Sequence, residues 1–245
     1  MKIGVFDSGI GGLTVLKTLI NKYPNNEYIY YGDTINLPYG NKTIEELQEL
    51  SSLDIEFLLN KQVDIIIIAC GTVSSNCINY LKNKYNIKIY DIISPVINYL
   101  NNSNYNNIGV IATNRTIDSH IFKNNLNQDK IIYEINTPDL VPLIESNNLS
   151  NINDTLDKYL SNYKNKLDIL VLGCTHYPVL YNHINNYLNN KAILLDMSIP
   201  LLNNLSINNN DTKPSVKIYY SKLSNTIIEN TKRILELDNI DIYEE

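Results

Sequence analysis

Tryptophan is absent from the 245 residues, cysteine occurs only three times, and Lys plus Arg (20) fall short of Asp plus Glu (26). The odd cysteine count supplies no disulfide framework, so a reducing, cytoplasmic setting is expected. The deficit of cations, with net charge -6 and pI ≈ 5.1, leaves nothing to displace counterions along phosphates and excludes a general nucleic-acid binder. Apolar runs are only a handful of residues long, well below the ~20 of a transmembrane helix, so no membrane partner is expected. The first residues, Met-Lys-Ile-Gly-Val-Phe-Asp, read as a strand rather than a signal peptide. The heavy use of Asn, Ile, Lys and Tyr resembles low-GC coding bias and carries no functional weight. A chain of this length can bury about 70–75% of its unfolded surface, enough for one large domain or two modest ones.

What the chain does contain is an alternation of strands and helices. An apolar strand at residues 2–6 runs into the glycine-rich turn Asp7-Ser-Gly-Ile-Gly-Gly12, and helical spacing follows at Leu13, Leu16, Leu19 and Ile20. Further strands are expected at 27–31, 65–69, 87–91 and 216–220, with helices at 43–61, 72–83 and 226–237. Thr43 followed by Glu46 forms a capping box. The all-isoleucine run 65–68 suits a strand covered on both faces, so the fold class is α/β with doubly wound parallel sheets.

The pattern then repeats. Ile3-Gly-Val-Phe-Asp-Ser8 matches Ile108-Gly-Val-Ile-Ala-Thr113 at an offset of 105, and Tyr28-Ile-Tyr30 matches Ile131-Ile-Tyr133 at 103. Asp64 and Cys70 match Asp168 and Cys174 at 104, and Asp91 and Pro95 match Asp196 and Pro200 at 105. Landmarks recurring in order at nearly one offset predict two similar domains related by pseudo-twofold symmetry, with a site in the cleft between them. The first would comprise 1–97 plus 209–245 and the second 98–208, joined through the polar stretch 98–107.

Ligands of open α/β sheets bind beyond the carboxyl ends of the strands, where both Cys70 and Cys174 fall. Two facing thiols suit inversion of a stereocentre, one acting as base and the other as acid from the opposite face. Each cysteine is expected just before a helix start, which favours thiolate, with Asp7 and His176 as tuning partners. Cys77, seven residues past Cys70, reads as core. Zinc is disfavoured because no C-x-x-C pair exists, and no metal is expected. The Asp7–Gly12 turn is not a dinucleotide fingerprint, since Thr14 stands where the third glycine belongs; its N-H groups suit a carboxylate instead. His120 and His183 lack such context and read as ordinary residues.

With these motifs, together with Tyr31-Gly-Asp33, Pro38-Tyr-Gly40, Ala69-Cys-Gly-Thr72, Val141-Pro-Leu-Ile-Glu145 and Gly173-Cys-Thr-His-Tyr-Pro178, the chain resembles the glutamate racemases of the cofactor-independent aspartate/glutamate racemase superfamily. The resemblance spans nearly the whole chain. It implies interconversion of L- and D-glutamate, without a cofactor, to supply D-glutamate for peptidoglycan and so for cell wall biogenesis and cell shape. It also implies that Cys70 acts on the D-enantiomer assisted by Asp7, and Cys174 on the L-enantiomer assisted by Glu145 and His176. Ser8, Pro38, Tyr39, Gly40, Thr72, Thr113, Thr116 and Thr175 would hold the substrate, with Asp33 on an acidic position of the family motif. Gly71 stands where the family commonly has asparagine, so there only backbone could contact the substrate. A homodimer is the implied assembly. The alternatives are an aspartate or hydantoin racemase of the same superfamily, a non-catalytic amino-acid-binding relative, and a redox switch built on the cysteine pair.

Overall fold

The computed structural model describes residues 1–207, 214–237 and 240–245. In chain order the elements are β1 (Lys2–Asp7), α1 (Leu13–Lys22), β2 (Glu27–Gly32), α2 (Ile44–Asn60), β3 (Ile65–Ile68), α3 (Gly71–Asn76), α4 (Ile78–Lys84), β4 (Lys88–Asp91) and α5 (Ser94–Asn101). There follow β5 (Asn107–Ala112), α6 (Asn114–Asp118), α7 (Ile121–Asn125), β6 (Ile131–Asn136), α8 (Leu140–Glu145), α9 (Ile152–Leu160), β7 (Ile169–Leu172), α10 (Tyr181–Tyr187), β8 (Ile193–Asp196) and α11 (Ser198–Asn204). Finally come β9 (Ser215–Tyr220), α12 (Asn225–Leu235) and β10 (Asp241–Glu244).

Two wholly parallel sheets result, ordered β10-β9-β2-β1-β3-β4 and β6-β5-β7-β8. The order β2-β1-β3-β4 recurs as β6-β5-β7-β8, the duplication read in the sequence. Register corrects one of its matches. Ile3 pairs with Tyr28 and Ile108 with Ile132, so Tyr28 corresponds to Ile132 at an offset of 104, not to Ile131 at 103. In a strand that single step exchanges the two faces. The strand after 214 extends the first sheet by pairing β9 with β2, and β10, unread in the sequence, adds a further edge. The domain boundary and Asn-rich break expected at 208–211 lie outside the described residues.

The repeated aspartates have structural work. Asp64 Oδ2 accepts the Lys2 N-H at 2.7 Å, and Asp168 Oδ2 accepts those of Asn106 and Asn107 at 2.9 and 2.8 Å, so each ties the amino end of a cysteine-bearing strand to its neighbour. Asp91 and Asp196 each accept N-H groups at the start of the following helix, α5 and α11 respectively. Thr43 caps α2 with the reciprocal Glu46 bond of a capping box.

Three expectations need correction. The helix expected over 72–83 breaks at Cys77 (φ -121°) into α3 and α4, and the Ser75 hydroxyl and the Asn76 side-chain amide both donate back to the Thr72 carbonyl in the turn before the break. Residues 98–101 of the expected linker belong to α5. Cys70 does precede a helix directly, but Cys174 leads into a 3-10 turn at Tyr177–Leu180.

β3 is buried along its whole length, and so is β7. One apolar core runs from the first sheet (Ile3, Val5, Ile67) through α5 and α11 (Val96, Leu201) into the second (Ile108, Val110, Val171), joining the halves behind their carboxyl edges. Each fully buried Ile or Leu contributes about 1.5–3 kcal/mol, so this shared core holds the two edges opposite each other.

Candidate active site

Cys70 lies just past β3 at the N-cap position of α3, its Sγ donating to Ser8 Oγ at 3.6 Å. Burial, then the negative charge of Asp7, push its thiol up to about 12. Cys174 lies just past β7, with Sγ 3.6 Å from His176 Nδ1, while His176 Nε2 lies 3.1 Å from Glu145 Oε1. Burial opposes charge on His176, yet the hydrogen bonds to Cys174 and Glu145 outweigh it and hold the imidazole well above its ordinary value. The ring therefore holds its proton more tightly than a free imidazole and bridges Glu145 and Cys174. Asp7 is 1% exposed; its Oδ1 accepts from the Gly9 N-H at 3.0 Å and its Oδ2 from the Thr175 hydroxyl at 3.1 Å. Burial lifts its carboxyl above the usual range despite the charge of His176 and these donors. All three cysteines are free, and Cys77 is buried core, its thiol pushed by burial to about 11.

A cavity of about 340 Å³ opens between the two carboxyl edges. Ser8, Pro38, Tyr39, Gly40, Cys70, Gly71, Thr72, Thr113, Glu145, Cys174, Thr175 and His176 all line it. Asp7, Thr116 and Asp33 do not. Asp7 stands behind Thr175, and Thr116 lies behind Thr113, hydroxyl to hydroxyl at 3.2 Å. The Tyr39 hydroxyl turns away from the cavity toward Asp33 and Asp54. Leu37, Asn41, Asn114 and Pro138 also line the cavity outside the quoted motifs, Asn114 and Pro138 following closely on β5 and β6, while Val141, Pro142 and Gly173 line it from within those motifs without having been given a role. His120 is exposed and pairs with Glu134; His183 is exposed.

The edges touch across the cleft. Thr72 and Thr113 hydroxyls meet at 3.0 Å, Thr14 Oγ1 donates to the Thr175 carbonyl at 2.9 Å, and a Cβ on Gly71 would lie 2.9 Å from the Gly173 carbonyl oxygen. Gly71 thus marks a point where backbone approaches backbone too closely for any side chain. Among the described residues no cluster of three or more His, Cys, Asp or Glu is placed to hold a metal ion, and no helix is long and apolar enough to cross a membrane.

One thiol from each repeat, facing a shared cavity, is an arrangement for proton transfer at opposite faces of one carbon. A family model described as Asp/Glu/Hydantoin racemase matches residues 16–201. The chain belongs to the Asp/Glu/Hydantoin racemase family. It is 38% identical over 231 residues to a glutamate racemase of Fusobacterium nucleatum, covering 89% of this chain and 87% of that one. The crystal structure of glutamate racemase from Francisella tularensis in complex with D-glutamate superposes with a TM-score of 0.88 at 29% identity, covering 99% and 96% of the two chains. That of Aquifex pyrophilus glutamate racemase gives 0.85 at 34% identity, with 99% and 98% covered. For a family whose members invert a stereocentre, Cys70 and Cys174 are the groups this cavity offers on its two sides.

Proposed function

We propose that this chain is a glutamate racemase that interconverts L- and D-glutamate by a cofactor-independent two-base mechanism, supplying D-glutamate for peptidoglycan. The observation that carries this reading is the pair of free cysteines from equivalent strand ends lining one cavity of about 340 Å³.

In the L-to-D direction the Cys174 sulfur, beside His176, removes the α-proton. The S–H bond forms as the C–H bond breaks, and its electron pair flattens the α-carbon into a carbanion conjugated with the carboxylate. Cys70, a thiol in the ligand-free site, donates its proton to the opposite face, giving D-glutamate and a Cys70 thiolate. The reverse reaction uses the same groups in exchanged roles. Its high proton affinity makes Cys70 a strong base once ionised, and Asp7 behind it maintains that affinity. Glu145 holds His176 toward Cys174.

Among the described residues no Lys or Arg lines the cavity. The hydroxyls of Ser8, Thr72, Thr113 and Thr175, the His176 imidazole and the backbone N-H groups of the strand-end turns are therefore the groups to receive two carboxylates. Gly71 contributes backbone alone, and Pro38, Tyr39 and Gly40 form the opposing rim. The same reading carries a cytoplasmic homodimer, to be checked by light scattering of the purified chain.

The test is exchange of the glutamate α-proton with solvent deuterium in purified protein without added pyridoxal phosphate. Exchange with racemisation is expected, and its absence refutes the reading. A panel with aspartate and a hydantoin separates the alternative racemase specificities; faster turnover of either would reassign the substrate.

A further inference from the structure

Beneath the rim of the cavity Asp33, Tyr39 and Asp54 meet at 2%, 2% and 3% exposure, and Asp54 comes from α2, a helix that does not line the cavity. Tyr39 Oη lies 2.6 Å from Asp33 Oδ2 and 3.0 Å from Asp54 Oδ2. A phenol has one hydrogen and an ionised carboxylate has none, so two contacts at this oxygen require a second hydrogen. Asp33 collects further donors, with Ser221 Oγ at 2.8 Å and Asn36 Nδ2 at 2.9 and 3.1 Å from its two oxygens. Among the described residues Asp54 has no side-chain partner but Tyr39, and neither acid forms an ion pair. The second hydrogen therefore belongs to Asp54.

We propose that Asp54 is a positioning residue: a neutral carboxylic acid that donates to Tyr39 Oη while Tyr39 donates to Asp33, a relay that fixes the Pro38–Gly40 rim for substrate. Burial, followed by the nearby Asp33 charge, pushes the Asp54 carboxyl well above the usual range, in agreement with the donor count. The groups that act on Asp54 and Tyr39 are Asp33, Tyr31 from β2 and Cys70 after β3, none of them a cation, and Glu245, which acts on Tyr31, is itself paired with Lys61, so none compensates a charge on Asp54. Function enters through the rim. Tyr39 and its neighbours line the cavity, and Gly40 abuts Thr113 so closely that an added Cβ would lie 3.2 Å from the threonine Cβ. A rim released from Asp54 would loosen against Thr113 and bind substrate less well, without touching either thiol.

The kinetic part rests on the glutamate racemase reading; the spectroscopic part does not. In the ligand-free protein at neutral pH, the infrared difference between wild type and Asp54→Asn is expected to show a protonated-carboxyl C=O band present only in wild type. Asp54→Ala, which strands the Tyr39 oxygen, is expected to raise KM for glutamate about tenfold with kcat within about threefold, whereas Asp54→Asn, which keeps a donor, stays within about twofold in KM. Absence of the band, an unaltered KM in Asp54→Ala, or equal losses in the two variants would overturn the relay. If Asp54→Ala does not fold, the band and the Asp54→Asn kinetics decide alone. A wild type inactive on glutamate overturns the proposed function and leaves the band to judge the relay.

Discussion

Replacing Gly11 with alanine should cripple the Cys174 side of the site while leaving the protein folded. Gly11 lies in the turn from β1 to α1 and has no positive φ, so alanine meets no backbone strain there. Its Cβ would meet instead the side chains of the other half, at 2.4 Å from His176 Nδ1 and from Thr175 Oγ1 and 2.7 Å from His176 Cε1. These contacts are about 1 Å shorter than the 3.5–4.0 Å at which non-bonded carbon atoms rest. Neither neighbour can retreat freely, because His176 is held by Glu145 and Cys174 and Thr175 by Asp7. Strain of this kind costs about 1–3 kcal/mol of stability. A displacement of about 1 Å at the imidazole beside the base costs about 100-fold in turnover. The assay is the rate of α-proton exchange and of racemisation, with thermal denaturation confirming that the variant is folded at the assay temperature. Gly4→Ala is the control. Its Cβ would press on Leu58 and Val63 at 3.2 Å, away from the cavity, and should lower stability without a specific loss of turnover. A Gly11→Ala protein within a few-fold of the wild-type rate, or losing rate only in proportion to its unfolded fraction, would refute the reasoning.

Cys70→Ala and Cys174→Ala should each abolish racemisation, since either leaves one face of the α-carbon without a proton carrier; retained racemisation by either variant, followed by chiral chromatography, would count against the two-base assignment. Because His176 is held above its ordinary value, its proton stabilises the fold below the ordinary imidazole range, and that contribution is lost as pH rises through the folded value. Glu145→Gln removes one of the groups responsible, so the histidine titration seen by NMR and the accompanying fall in melting temperature should both move to lower pH; an unmoved titration would deny the pairing a role. Thr43→Ala should cost about 1 kcal/mol by breaking the α2 capping box and leave turnover per folded molecule unaltered, as denaturant melts and rates would show.

The two-sheet architecture was legible because its signals are local. All-isoleucine β3 can only be a strand covered on both faces, and the matched Asp-to-Cys intervals begin on aspartates that anchor strands in both repeats. The strand-end residues that line the cavity were legible for the same reason, since a parallel sheet delivers the residues after each strand to one edge. Contacts that depend on two distant segments were not. Nothing local to Asp54 in the middle of α2 announces that its acid meets Tyr39, and β10 is a four-residue edge whose partner lies in β9. The break at Cys77 shows only in its backbone angles, which helical periodicity does not register.

The repeat also explains why the two halves of the site are unequal. Gly71 and Thr175 follow the paired cysteines at the same offset of 104, yet they solve different problems. At 71 the backbone just past β7 comes so near that a Cβ would stand 2.9 Å from the Gly173 carbonyl oxygen, so the position is emptied of side chain. At 175 the hydroxyl reaches the carboxylate of Asp7, and its carbonyl receives Thr14. The first half gives up a side chain to bring the edges together, and the second uses one to hold the acid that lies behind Cys70. Each thiol is therefore conditioned partly by the opposite repeat: Cys70 by an Asp7 that Thr175 orients, Cys174 by a His176 whose space Gly11 leaves open. A duplicated fold supplied two equivalent sulfurs; burial and Asp7 make one a thiol of high proton affinity, His176 sits beside the other, and the contacts across the cleft hold Asp7 and leave room for His176.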